Sequence, residues 1–308
     1  MLGGDSVSAL NWSVLVGNAA HFDRNVMRLA FILVLLGYGT KAGIAPMHTW
    51  KPDAYGEAPI PVVSLMATAA LNCSLYALAR FVVLTSRCLG PSFASELLIL
   101  FGLLTIGISV PFILVQRSLR RLLAYSSIDH SGIMVLSLGF GGLLGPLGML
   151  LHMTFHSVTK PLLLFCAGNA QQHTGNDSLR RGAGGLLHEL PVTAPMFLLA
   201  ALAVTGTPPF SMFLSEFTVF RAGFAAQRTL PVILFVAFTV TIFCGLFFHV
   251  SQLVFGPPHN DLARGDTSRW TTYPVIALSL VVVVLGFWLP APLNALIGGA
   301  ARILVVSP

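Results

Sequence analysis

The stretch G-P-L-G-M-L-L-H-M-T-F-H-S-V-T-K-P-L-L-L-F-C-A-G-N, residues 145–169, is apolar almost throughout. It is long enough to cross a bilayer core as a helix, which takes about 20 such residues. Its only ionisable side chains are His152, His156 and Lys160, spaced i, i+4 and i+8. Each step of four residues advances a helix by about 400°, so the three lie on one slowly drifting stripe about 12 Å long. A charge at the centre of a spanning helix costs about 2.5–3.5 kcal/mol on insertion scales, so it persists with a partner, a wet cavity or a task. Two imidazoles, which titrate near neutrality, and an amine in one row can pass protons through bridging waters. The alternatives are snorkelling or capping of a neighbouring helix, and metal or haem ligation by His152 and His156. The order is not H-E-x-x-H, and the adjacent cation disfavours a metal.

Working outward, the chain has 308 residues, 55% hydrophobic and 9% charged, with mean hydropathy +0.83. A soluble domain carries about 25% charged residues; this chain cannot cover a water-facing surface. Further apolar segments near 26–46, 60–84, 94–115, 122–141, 192–222, 230–256 and 272–290 bring the expectation to about eight spans. The fold class is therefore all-α and polytopic, and long apolar runs exclude a membrane barrel. Residues 1–25 read as an extracytoplasmic amphipathic lead-in without signal-peptide character, 26–290 as the bundle, and 291–308 as a tail.

The net charge of +6 comes from short basic runs between apolar segments and needs no nucleic-acid partner. Loops 47–59, 116–121, 170–191 and 257–271 hold eight Lys or Arg, Lys51, Arg180 and Arg181 among them, against five in the other loops and the two ends, so this set is expected on the cytoplasmic side. Cys73, Cys88, Cys166 and Cys244 are far apart with no C-x-x-C pair, and read as small apolar residues rather than cluster ligands.

Two more positions join a charge to an interrupted helix. Lys41 lies in G-Y-G-T-K-A-G-I-A-P (37–46), and Glu216 in T-G-T-P-P-F-S-M-F-L-S-E-F (205–217). Glycine and proline free backbone carbonyls, which must then be satisfied by protein or a cavity. Paired broken helices with ion sites near mid-membrane mark transporters built from repeats. The competing readings are a snorkelling Lys41 and a Glu216 paired with Arg221 or a loop cation. Asp53 and Glu57 are secondary candidates that pair with Lys51 or touch a neighbouring subunit, and Asp129 and His130 are candidates for the same polar interior. Asn72, Arg80 and His249 read as helix-packing residues, and Arg117, Arg120 and Arg121 as an orientation signal.

These motifs carry a family resemblance: K-A-G-I-A-P-M-H-T-W-K-P-D-A-Y-G-E-A-P (41–59), R-R-L-L-A-Y-S-S-I-D-H-S-G-I-M (120–134), H-M-T-F-H-S-V-T-K-P-L-L-L-F (152–165) and the 205–217 stretch. In order over nearly the whole chain, they resemble the antiporter-like membrane subunits of respiratory complex I, group 4 NiFe hydrogenases and Mrp cation/proton antiporters. The 41–59 motif and Glu216 are most similar to the hydrogenase-4 component F branch. The resemblance implies an inverted-repeat antiporter-like fold, with a first broken helix at 26–46 and second-repeat helices over about 94–256. It implies a proton pathway of Lys41, His152, His156, Lys160 and Glu216, with Arg120 where relatives carry a lysine.

The resemblance further implies a proton or Na+/H+ translocating subunit in a bacterial or archaeal cytoplasmic membrane. Redox chemistry, iron–sulfur clusters or a NiFe centre would sit on partner subunits, with no cofactor on this chain and lipid around it. Relatives have about fourteen spans, and this sequence opens at the approach to the seventh, so the expectation includes a truncated or split subunit with an incomplete first half-channel. Met66 and Asn72 stand where relatives place a histidine or lysine. The rival expectations are a structural subunit without a full channel and an Mrp-type antiporter subunit.

Overall fold

The computed structural model of the protein describes residues 11–179, 185–257, 264–266 and 268–305. Residues 1–10 of the expected lead-in, residues 306–308 of the tail, and Arg180 and Arg181 lie outside the described residues.

The lead-in forms a short helix, α1 (Trp12–Gly17), followed by a 3-10 turn. Asp23 then caps α2 (Arg24–Ala42), its carboxylate accepting from the backbone N–H groups of Asn25 and Val26 at 2.9 Å. This cap starts the first span at residue 24, two residues before the apolar run. Gly43 ends it at φ +79, a conformation that disfavours residues with a Cβ. A half-helix, α3 (Trp50–Glu57), completes the first break. Next come α4 (Ile60–Leu89) with a π turn over Met66–Ala70, α5 (Pro91–Val115), α6 (Leu119–Phe140) and α7 (Leu144–Thr174). After the single turn α8 (Leu186–Glu189), the second break separates α9 (Thr193–Val204) from α10 (Ser211–Ala225). α11 (Thr229–Phe255), α12 (Arg269–Phe287) and α13 (Ala291–Leu304) close the bundle.

All eight expected apolar segments are helical over most of their length, and the sixth, 192–222, is divided at the break foreseen at 205–209. Among the described residues, five helices are long and apolar enough to cross a membrane: α2, α4, α5, α11 and α12. They turn apolar side chains outward: Leu29 and Leu33 on α2, Leu230 and Ile233 on α11, Leu280 and Phe287 on α12 are each at least 57% exposed. That is the surface of a protein whose solvent is lipid. The two central helices, α6 and α7, owe their polarity to the opposite circumstance: other helices cover them, and every residue from Ser126 to Phe140 is buried. Within the expected tail, Ala291–Leu304 is an amphipathic helix whose Ile297 packs with Leu151, Phe155 and Met212.

Small residues bring α6 against α5. A Cβ on Gly132 would lie 2.9 Å from the carbonyl oxygen of Gly102, and one on Gly102 would lie 2.8 Å from the amide nitrogen of Leu136. Such close backbone approach is how helices associate where hydrophobic contrast with the surroundings is lost.

Candidate functional site

The two breaks are built alike. Each has a glycine at positive φ, Gly43 at +79 and Gly206 at +68, followed three residues later by a proline in a cis peptide bond, Pro46 and Pro209. In each, the second half-helix lays an ionisable side chain over that glycine. A Cβ on Gly206 would lie 2.1 Å from Glu216 Oε2, and a Cβ on Gly43 would lie 2.6 Å from Lys51 Cδ.

Between the breaks, α6 and α7 hold the predicted stripe. His152, His156 and Lys160 are all 0% exposed. Pro161 follows Lys160 directly and withholds the N–H that would bond the Ser157 carbonyl, loosening the helix at the stripe. The stripe does not act alone: His130, on α6, faces it with its ring centroid 5.1 Å from His152 and 5.0 Å from His156. His130 Nδ1 lies 3.0 Å from His152 Nε2. On its other side His152 Nδ1 lies 3.0 Å from Ser215 Oγ, one residue before Glu216.

Direction follows from the last link. Ser215 donates to the Met212 carbonyl at 2.7 Å, so it accepts from His152 Nδ1–H. A neutral His152 then accepts at Nε2 from His130 Nδ1–H. A proton entering at His130 and leaving at Ser215 therefore reverses the line by flipping tautomers in series, which is what imidazole does well.

Several groups along this line lack a protein partner among the described residues: Lys160 Nζ, both ring nitrogens of His156 and Asp129 Oδ1. Buried polar atoms are ordinarily satisfied by protein or ordered water, so these are the positions where internal water belongs. Asp129, 2% exposed, precedes His130 in the fully buried stretch of α6. Among the described residues, no group of His, Cys, Asp or Glu is arranged to hold a metal ion.

The remaining expectations divide. His130 and Asp129, read as secondary, belong to the centre of the site. Glu216 is half-buried in no ion pair with Arg221; it lines a cavity of about 550 Å³ at the second break with Thr207, Phe220 and Phe235. Lys41 is not gathered into the line: it is exposed, in the last turn of α2, beside Tyr38 and Cys73 in an outer groove. The face of α2 that packs inward carries Phe31, Leu35, Gly39 and Ala42, and Lys41 is off it.

Asp53 pairs with Arg121 at 2.9 Å, not with Lys51, and Glu57 is exposed. Arg120, rather than facing the polar line, donates to the carbonyls of Gly56 at 2.6 Å and Ala58 at 3.2 Å, capping α3. Asn72 donates to Ser157 at 2.6 Å, His249 bonds the Ile113 carbonyl at 3.1 Å and Arg80 covers the Trp12 ring at 4.0 Å, all packing roles as read.

The sequence reading missed Lys51, Ser131 and Ser215. Lys51 was counted as a loop charge, yet it is 1% exposed and its Nζ donates to the Ala42 carbonyl at 2.9 Å. A signal for Ser215 was present: Met212, Ser215, Val219 and Ala222 recur at helical spacing and form the buried face of α10.

Two broken helices with a buried row of protonatable groups between them are the architecture of membrane proteins built like the repeat transporters. The model of the NADH:quinone oxidoreductase/Mrp antiporter transmembrane family matches residues 7–244, and the chain belongs to that family. It is 35% identical over 289 residues to the hydrogenase-4 component F homolog of Methylacidiphilum infernorum (isolate V4), covering 93% of this chain and 59% of that protein. Its fold is similar to a chain of the membrane-bound sulfane sulfur reductase, an archaeal respiratory membrane complex, with TM-score 0.87 at 24% identity over 96% of this chain and 60% of that one. It is also similar to a chain of the Mrp complex from Dietzia sp. DQ12-45-1b, with TM-score 0.83 at 20% identity over 94% and 62%. The chain thus spans about 60% of the length of each of these three relatives. It is an antiporter-like membrane subunit.

Proposed function

We propose that the chain carries protons, or sodium ions exchanged for protons, along the line from His130 to Glu216, as a membrane subunit of a hydrogenase-4-like or complex I-like redox assembly. The observation that carries this reading is the pair of 3.0 Å contacts that join His130, His152 and Ser215 across three helices. Each is within the 2.6–3.2 Å reach at which positioned groups exchange protons. Lys160 and Asp129, buried nearby, supply charges whose occupancy shifts as neighbours gain or lose protons. Electron transfer belongs to partner subunits in the cytoplasmic membrane of a bacterium or archaeon. Their reaction biases the line by changing the charge at one end of it.

The test is ion translocation by inside-out membrane vesicles that contain the chain in its native complex, followed with a fluorescent dye that reports the pH difference. Lys160→Ala is expected to abolish translocation while the complex still assembles. Translocation at the wild-type rate in that variant sinks the reading.

A further inference from the structure

Lys51 has no place in the pathway that the family resemblance implies, and its surroundings argue that it has one in this chain. It comes from the first turn of α3 and points back into the first break. The polar atoms within hydrogen-bond reach of Nζ are the Ala42 carbonyl at 2.9 Å, the Ser131 hydroxyl at 3.3 Å and the Ser127 carbonyl at 3.5 Å, and the Tyr55 ring faces it with its centroid 5.8 Å away. The three polar groups are neutral. No carboxylate lies within ion-pair distance of it among the described residues. The Ala42 carbonyl is one of the orphan acceptors at the end of α2, where the helix dipole favours a cation.

The fold makes room for this amine. Gly43 has no side chain where a Cβ would meet Lys51 Cδ at 2.6 Å and Nζ at 3.1 Å. The same device holds Glu216 over Gly206 at the other break. The two glycines thus cradle one ionisable side chain each, a base at the first break and an acid at the second.

Position completes the case. Ser131, the hydroxyl that receives Lys51, adjoins His130 in sequence on α6, and His130 begins the line that runs through His152 to Ser215. Lys51 and Lys160, 1% and 0% exposed in one poorly screened interior, repel when both are protonated. That repulsion favours release of a proton from one of them.

We infer that Lys51 is a proton-carrying residue of this chain, exchanging its proton at the first-break end of the line as Glu216 does at the second. The inference rests on the proposed function above. In the exchange the N–H bond at Nζ breaks as an imidazole N–H or water O–H bond forms. The lysine becomes a neutral amine, and the positive charge moves one step toward His152.

Two substitutions in the native complex test it, read in the same vesicles. Lys51→Met keeps the stem and removes the amine. Lys51→Arg keeps donors and charge, and a guanidinium does not release its proton in a protein. Both variants are expected to assemble and to translocate about a hundredfold more slowly, the low end of what a positioned proton-transfer group contributes. A structural staple behaves otherwise: arginine restores the wild-type rate. Wild-type translocation in either variant overturns the inference, and so does failure of both to assemble, which makes Lys51 a staple of the break. Lys160→Ala, run alongside, separates the two levels. If it also translocates normally, the proposed function has failed; if it alone is silent, only the role of Lys51 has.

Discussion

Ser215→Ala removes a single oxygen from the second-break end of the line and leaves its packing almost unchanged. Ser215 is 0% exposed, its Oγ lies 3.0 Å from His152 Nδ1, and it donates to the Met212 carbonyl at 2.7 Å. The alanine leaves His152 Nδ1 without its partner in a site that is itself 0% exposed. A buried polar atom orphaned in this way costs about 1–3 kcal/mol of stability. The change creates no cavity beyond the hydroxyl, so the complex is expected to assemble. Its thermal unfolding in detergent shifts down modestly. The functional cost is larger, because the next acceptor beyond His152 on this side is lost. Translocation in vesicles is expected to fall about a hundredfold. Ser215→Thr returns the hydroxyl, and at the cost of about 1–3 kcal/mol for an added methyl in a packed core it is expected to recover most of the rate. An assembled Ser215→Ala complex that translocates like the wild type would refute the claim that protons pass from His152 toward Glu216 through this contact.

Gly206→Ala places a Cβ where Glu216 Oε2 now lies, 2.1 Å away, in a backbone at φ +68. The carboxylate must move by more than an ångström, and a misplacement of that order costs about a hundredfold where geometry controls rate; the same vesicle assay reads it, with assembly checked on a native gel. Gly132→Ala tests the packing under the site: its Cβ would meet the Gly102 carbonyl oxygen at 2.9 Å and the Ile106 side chain at 2.8 Å. Overpacking of this kind costs about 1–3 kcal/mol, read as a lowered unfolding temperature, whereas an unchanged temperature counts against the tight α5–α6 crossing.

The fold was legible because hydrophobicity and length decide it. Each expected span is a helix, and both broken helices were visible as glycine and proline beside a charge. The stripe of His152, His156 and Lys160 was legible for the same reason: one helix carries it, and spacing alone sets its face. What the sequence hid lies between helices. The His130–His152 and His152–Ser215 contacts join residues 22 and 63 positions apart, and no local pattern announces such a pairing.

Lys41 and Lys51 show the same limit in one segment. Both flank the first break, and the motif drew attention to the first. At Gly43 the chain folds back and carries Lys51 inside while Lys41 stays on the outer face. Charge counts misread Lys51 because a basic residue in a loop signals orientation only when it meets water. Arg120 was misread for a related reason, its position at a helix start giving no hint that the α3 carbonyls would claim it.

The central claim is that charge moves along the buried line through this subunit. Electrometric recording on a solid-supported membrane measures it directly, with the native complex adsorbed and a pH jump applied. The wild-type complex is expected to give a transient current as protons redistribute along the line, and Lys160→Ala to give none above that of protein-free membranes. An undiminished current in the assembled Lys160→Ala complex contradicts the account.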